Sequence, residues 1–139
     1  EIRTAIFDLH SNSAGNTRLR QRLDAAVASF SSSDVHTNVR YDGPLSVIEP
    51  ELADHAEAVV REAVSNAVRH GHATAIAITV SVHNDLSIEV TDNGQGLSAD
   101  ITESGLSNLR HRACDSGGDM TIGPAGDRGT VLRWWAPLP

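Results

Sequence analysis

The chain has 139 residues, 40% of them apolar, and a formal charge of −7 from 11 basic against 18 acidic side chains. This is enough for one domain with a real core, and the acidity argues against a broad nucleic-acid-binding surface. Every basic side chain counted is arginine; without lysine, a Walker A loop and a protein-kinase-type strand lysine are both excluded.

In chain order, Ile2, Ala5, Ile6 and Leu9 fall on one face of a helix, and a polar break follows at 11–16. Because the chain opens at Glu1 inside this helical pattern, it is expected to be a piece of a longer protein. Leu19, Leu23, Val27 and Phe30 resume helical spacing up to Ser31–Ser33. Val35–Tyr41 alternates as a strand, and Asp42-Gly43-Pro44 is a turn. Pro50 suits an early helical position, from which an apolar stripe runs from Leu52 to Ala67 and stops near Gly71. Ala75–Val82 and Asp85–Thr91 alternate and predict a hairpin. Residues 97–104 read as a short polar loop, Leu106–Ser116 as a helix broken by Gly117-Gly118, and Asp119–Gly123 with Gly129–Trp135 as a second hairpin. Trp134 and Trp135 must point to opposite faces, one of them into the core. The order helix, strand, helix, two strands, helix, two strands predicts an α/β (α+β) two-layer sandwich, a mixed sheet with helices on one face. No apolar stretch approaches the ~18 residues of a membrane span, and no leader pattern is visible. The lone Cys114 suits a reducing cytoplasm and reads as a packing residue. His55 and His83 read as surface residues, and His70-Gly71-His72 lacks the third ligand a transition metal needs.

Four segments carry chemistry. Glu62, Asn66 and His70 are four apart, so they share a polar helical stripe, with Arg69 beside it. An Asn amide oxygen is a hard neutral ligand suited to a Mg²⁺ that keeps waters and bridges phosphates. Glu62 can hold that hydration shell or polarise an attacking group, and Arg69 and His70 can face phosphates. Asp92 ends a strand, where its carboxylate can accept from an exocyclic amine such as adenine's; Gly94 and Gly96 let the backbone turn and a flat base approach. Gly105, Leu106 and Arg110 open a predicted helix whose N-terminus offers free N–H groups to phosphate. Gly129 permits close approach to a ligand, and Thr130 can hydrogen-bond a base. Singly, these match a solvated helix face, an Asp-Asn-Gly turn, an ordinary helix start and a hairpin loop. Their combination and order are specific.

Together they resemble the GHKL ATPases, and within them the ATP-binding catalytic domains of sensor histidine kinases. Arg61-Glu62-Ala-Val-Ser-Asn66-Ala-Val-Arg69-His70 is similar to the family's N box, and Asp92-Asn-Gly-Gln-Gly96 to its G1 box. Gly105-Leu-Ser-Asn-Leu-Arg110 is similar to the G2 box, and Gly126–Thr130 to the G3 region. The resemblance spans roughly residues 35–137. The short form of residues 97–104 and the run from Gly105 to Ala113 resemble the subfamily with the nitrate-sensor type of dimerisation domain, and the chain as a whole further resembles mycobacterial hypoxia-sensing kinases, in which haem sits in sensor domains absent here. The resemblance implies a Bergerat-type ATPase fold over 13–139, with 1–12 the remnant of a dimerisation helix and linker. It implies that Asn66 ligates Mg²⁺, that Asp92 reads adenine, and that Gly94, Gly96, Gly105 and Gly129 shape the pocket. It leaves Glu62 either a metal-supporting or a water-polarising residue. The implied reaction is transfer of the γ-phosphoryl of ATP to a histidine on the protein's own dimerisation domain within a homodimer, and from there to a response regulator. The acceptor is expected upstream of residue 1, because His10 is followed by Ser11 rather than the family's acidic residue. The segment between Gly96 and Gly105 is short and carries no cation, so Arg69, His70, Arg110 or backbone amides are left to meet the phosphates. An anti-sigma-type serine kinase and a non-catalytic nucleotide-sensing module are the competing readings; the helix at 1–10 argues against the first and the intact motif residues against the second.

Overall fold

A computed structural model describes residues 18–95 and 99–138, with the backbone alone for 99–104. The expected helix at 1–10, the boundary near residue 12 and Gly96 lie outside the described residues. The elements are α1 (residues 18–28), β1 (His36–Asp42), α2 (Pro50–Arg69), β2 (Ala75–Val82), β3 (Asp85–Asp92), α3 (Ala99–Asp115), β4 (Asp119–Pro124) and β5 (Thr130–Pro137). A single 3₁₀ turn at Leu45–Val47 precedes α2.

The five strands form one sheet in the order β1-β2-β3-β5-β4. β1 pairs parallel with β2, and the other neighbours pair antiparallel, so the sheet is mixed. Strand alternation decides which face is covered. Ile76, Ile78, Val80 and Val82 of β2, Leu86, Ile88 and Val90 of β3, and Leu132, Trp134 and Ala136 of β5 all point inward and are buried. The helices supply the matching layer: Leu19 and Leu23 from α1, a stripe from Leu52 to Ala67 on α2, and Leu109 and Ala113 from α3. The result is the expected two-layer α/β sandwich.

Polar contacts at the rim fix how the helices lie. Arg22 of α1 bonds Glu57 at 2.8 Å and Asp54 at 2.7 Å on α2, and its guanidinium holds the Glu57 carboxyl below the usual range. Trp134 is fully buried and donates its indole N–H to the Leu109 carbonyl at 2.9 Å, pinning α3 onto β5. Trp135 is half-buried on the opposite face. His83 is exposed and pairs with Asp42 at 3.1 Å. His55 is half-buried rather than on the surface, its Nδ1 accepting from Arg112 of α3 at 3.0 Å.

Two expectations are corrected. Cys114 is exposed; Ala113, one position earlier, takes the buried place on α3. The helix expected from Leu106 begins instead at Ala99 and absorbs most of the predicted loop. Residues 97–104 contain neither Gly nor Pro, so nothing in them breaks a helix. Gly105 is consequently an interior helical residue. It faces the Glu62 carboxylate of α2, which would have to swing aside for a Cβ at this position.

Candidate functional site

The inward row of β3 does not end apolar. The alternation that buries Leu86, Ile88 and Val90 carries Asp92 to the same face, where it is 8% exposed. Directly across in register lies Thr130, the first residue of β5, also 8% exposed. Facing them from the helical layer is Asn66, 5% exposed, near the end of the α2 stripe between Ala63 and Ala67. These three are the only buried polar side chains among the described residues. They line one cavity of about 10 Å³, closed by Ala63, Ala67, Val90, Ile122 and Leu132. At this size the cavity has room for about one water molecule.

The groups in the cavity are chemically primed. Asp92 Oδ1 accepts the Gly94 N–H at 2.8 Å. Burial pushes the Asp92 carboxyl above its ordinary range, against the opposing pull of the Gly94 and Thr130 amides. The Asn66 Nδ2 is buried with no hydrogen-bond partner among the described residues, an arrangement proteins seldom tolerate without use. Asn66 was legible as a ligand candidate, but the helical stripe that carries it is not a solvated face as its polarity suggests. Glu62 and His70 are half-buried.

Gly129 needs its freedom: φ is 94°, and a Cβ would collide with the Asp92 carbonyl. At Gly94 a Cβ would meet the Gly71 carbonyl, so the turn after β3 lies flush on the turn after α2. Leu106 is half-buried against the core.

The structure does not bring the remaining cations into the cavity. The Arg69 guanidinium lies 5.7 Å from the Phe30 ring centroid. Arg110 donates to the Met120 carbonyl at 3.0 Å and lies 3.7 Å from Asp119, on the β4 side. The amides of Gly105 to Arg110 are inside α3, where they close intrahelical bonds; the expected free helix N-terminus at Gly105 is therefore not there. Among the described residues no three His, Cys, Asp or Glu side chains converge as a metal site. Residues that sequence reasoning missed are Ala63 and Ala67, whose small side chains make room beside Asn66, and Ile122 and Leu132 on the sheet side. They read as ordinary core positions, and only tertiary packing shows what they line.

Known proteins resemble the chain in sequence and in fold. Sensor histidine kinase LiaS of Bacillus subtilis is 25% identical over 142 residues, covering 99% of this chain and 39% of the relative. Sensor protein VraS of Staphylococcus aureus is 34% identical over 91 residues, covering 63% of this chain and 26% of the relative. The chain thus spans well under half the length of these relatives. Among solved structures, a blue-light activated histidine kinase of Erythrobacter litoralis EL346 superposes with a TM-score of 0.68 at 19% identity, over 88% of this chain and 41% of that one. The ATP binding domain of PrrB from Mycobacterium tuberculosis gives 0.64 at 23% identity, over 86% of this chain and 93% of that one; at these identities the likeness is one of fold. Residues 51–139 match the family described as histidine kinase-, DNA gyrase B- and HSP90-like ATPases, and the chain belongs to that family.

Proposed function

We propose that the chain is the ATP-binding catalytic domain of a two-component sensor histidine kinase. It binds Mg-ATP and delivers the γ-phosphoryl to a histidine on a separate dimerisation domain, within a homodimer, for onward transfer to a response regulator. The observation that carries this reading is the meeting of buried Asn66 and buried Asp92 in one cavity, from opposite layers of the fold. An isolated core gains nothing from that pairing, whereas a nucleotide uses both. The sensor-kinase relatives support the same assignment.

Asp92 accepts the exocyclic amine of adenine, with Thr130 beside it on the neighbouring strand. Asn66 offers Mg²⁺ one amide oxygen. A single neutral protein ligand suits this ion, whose other positions are filled by phosphates and water. When bound, Mg²⁺ neutralises phosphate charge and fixes the γ-phosphoryl for in-line attack. Glu62, pressed against Gly105, supports the metal's water shell or polarises the attacking group. His70 at the end of α2 and backbone N–H groups meet the phosphates, joined by Arg69 once it leaves the Phe30 ring. Arg110 joins them only if it leaves Met120 and Asp119. The finer resemblance, to hypoxia sensors whose haem lies in other domains, is one of the chain as a whole. A cytoplasmic location follows from the same kinase assignment.

The test is phosphorylation in trans. Incubated with labelled ATP, the 139-residue chain should stay unlabelled, and adding the parent kinase's dimerisation domain should label that domain. Acid-labile phosphate on His10, or an acceptor domain that stays unlabelled, contradicts the reading.

A further inference from the structure

Asn93 stands beside the site without entering it, and both ends of its side-chain amide are hydrogen-bonded. Its Oδ1 accepts two backbone N–H groups, from Thr74 and Ala75, each at 2.9 Å. Its Nδ2 donates to Thr74 Oγ1 at 3.0 Å, and its own N–H donates to the Ala75 carbonyl at 3.2 Å. One residue at the end of β3 thereby holds the segment that enters β2. That segment is the far end of the turn leaving α2, and the turn's near end is tied to the site as well. The Gly71 N–H donates to the Asn66 carbonyl at 2.9 Å, and the Gly71 carbonyl accepts the Gln95 N–H at 2.8 Å. Gln95 Nε2 adds a bond to the His70 carbonyl at 3.3 Å. Between Asn93 and Gln95, the Gly94 N–H donates to Asp92 Oδ1. A short run of hydrogen bonds therefore links the backbone of Asn66 to the carboxylate of Asp92.

We infer that Asn93 is a positioning residue for nucleotide binding: by clamping Thr74 and Ala75 it sets the separation of Asp92 from Asn66. The inference rests on the nucleotide reading above. An exposed loop asparagine needed only for its turn would not spend its amide on a segment 18 and 19 residues away in sequence. The clamp predicts that base recognition and metal ligation are coupled through the turn after α2, since Asp92 and Asn66 cannot shift independently while it is closed.

Two variants and two readouts test this. Asn93→Ala removes the clamp; Asn93→Asp keeps an oxygen to accept from Thr74 and Ala75. By calorimetry on folded protein, Asn93→Ala should weaken Mg-ATP binding about tenfold and shrink both the ATP-over-GTP preference and the gain from Mg²⁺. Asn93→Asp should stay within about threefold of the parent. A purely structural asparagine would lower stability and leave the preference and the Mg²⁺ gain untouched, and that result overturns the inference. Amide hydrogen exchange supplies the second readout without nucleotide. Relative to core amides such as Val80, exchange at Gly71 and Gly94 should quicken in Asn93→Ala and recover in Asn93→Asp. Unchanged exchange at both amides overturns the clamp whatever the nucleotide data show. If the parent chain binds no nucleotide, the functional assignment falls, and the exchange result still decides whether Asn93 holds the two sides of the cavity together.

Discussion

Asn66 shows how a buried polar group reveals use. Leaving a buried amide unpartnered costs about 1–3 kcal/mol, and Ala is the better helix former by a few tenths more. Asn66→Ala should therefore leave the ligand-free fold as stable as the parent or more so, while removing the Mg²⁺-dependent part of nucleotide affinity. Denaturant titration without ligand, beside calorimetry with and without Mg²⁺, checks both halves; a large loss of ligand-free stability would mean that Asn66 is structural. Asp92 adds a dependence on pH. Burial lifts its folded-state pKa above the ordinary 3.8, so the folded protein holds this proton more tightly than the unfolded chain. Its contribution to stability is fully present below 3.8 and is lost as pH rises through the folded value. Over the same interval the carboxylate proposed to accept from adenine forms. Ligand-free stability from this group should fall, and ATP affinity rise, with increasing pH; Asp92→Asn should flatten both, as paired denaturation and binding curves would show. The inward direction of Asp92 was legible from alternation, because two-residue periodicity continues past Val90. The burial of Asn66 was not, since a polar helical residue reads as solvated until the facing sheet is known.

Helices and strands differ in how openly the sequence declares them. The strands alternate and end at glycines or turns, so their number, order and inward faces follow from periodicity. The start of α3 does not, because Gly105 read locally marks a helix end, whereas the structure places it inside α3, facing Glu62 of α2. That is a tertiary reason, invisible to a window of neighbours. The same helix is held from below by Trp134, whose indole N–H reaches the Leu109 carbonyl. Trp134→Phe keeps most of the apolar area and removes this bond, so stability should drop by about 1–3 kcal/mol, cavity included. Faster amide exchange in α3 than in β2 should accompany the loss. An unchanged denaturation midpoint would show that α3 is held by packing alone.

On the scale of the whole molecule, the proposed function asks an acidic chain of charge −7 to hold a polyanion. The cavity lining holds one of those carboxylates and no cation, so under the proposed function charge neutralisation falls to Mg²⁺ and base identity to Asp92. The family assignment leaves open which nucleotide is taken, and that choice rests on one carboxylate facing one exocyclic group. Adenine presents an amine there and guanine a carbonyl, which Asp92 would repel. Calorimetric titration of the chain with ATP and with GTP, each in Mg²⁺, beside Asp92→Ala, tests this most directly. ATP should bind and GTP should not, and Asp92→Ala should lose about 1.5–3 kcal/mol of ATP binding. Equal affinities for ATP and GTP, or an Asp92→Ala variant that binds ATP like the parent, would contradict the account.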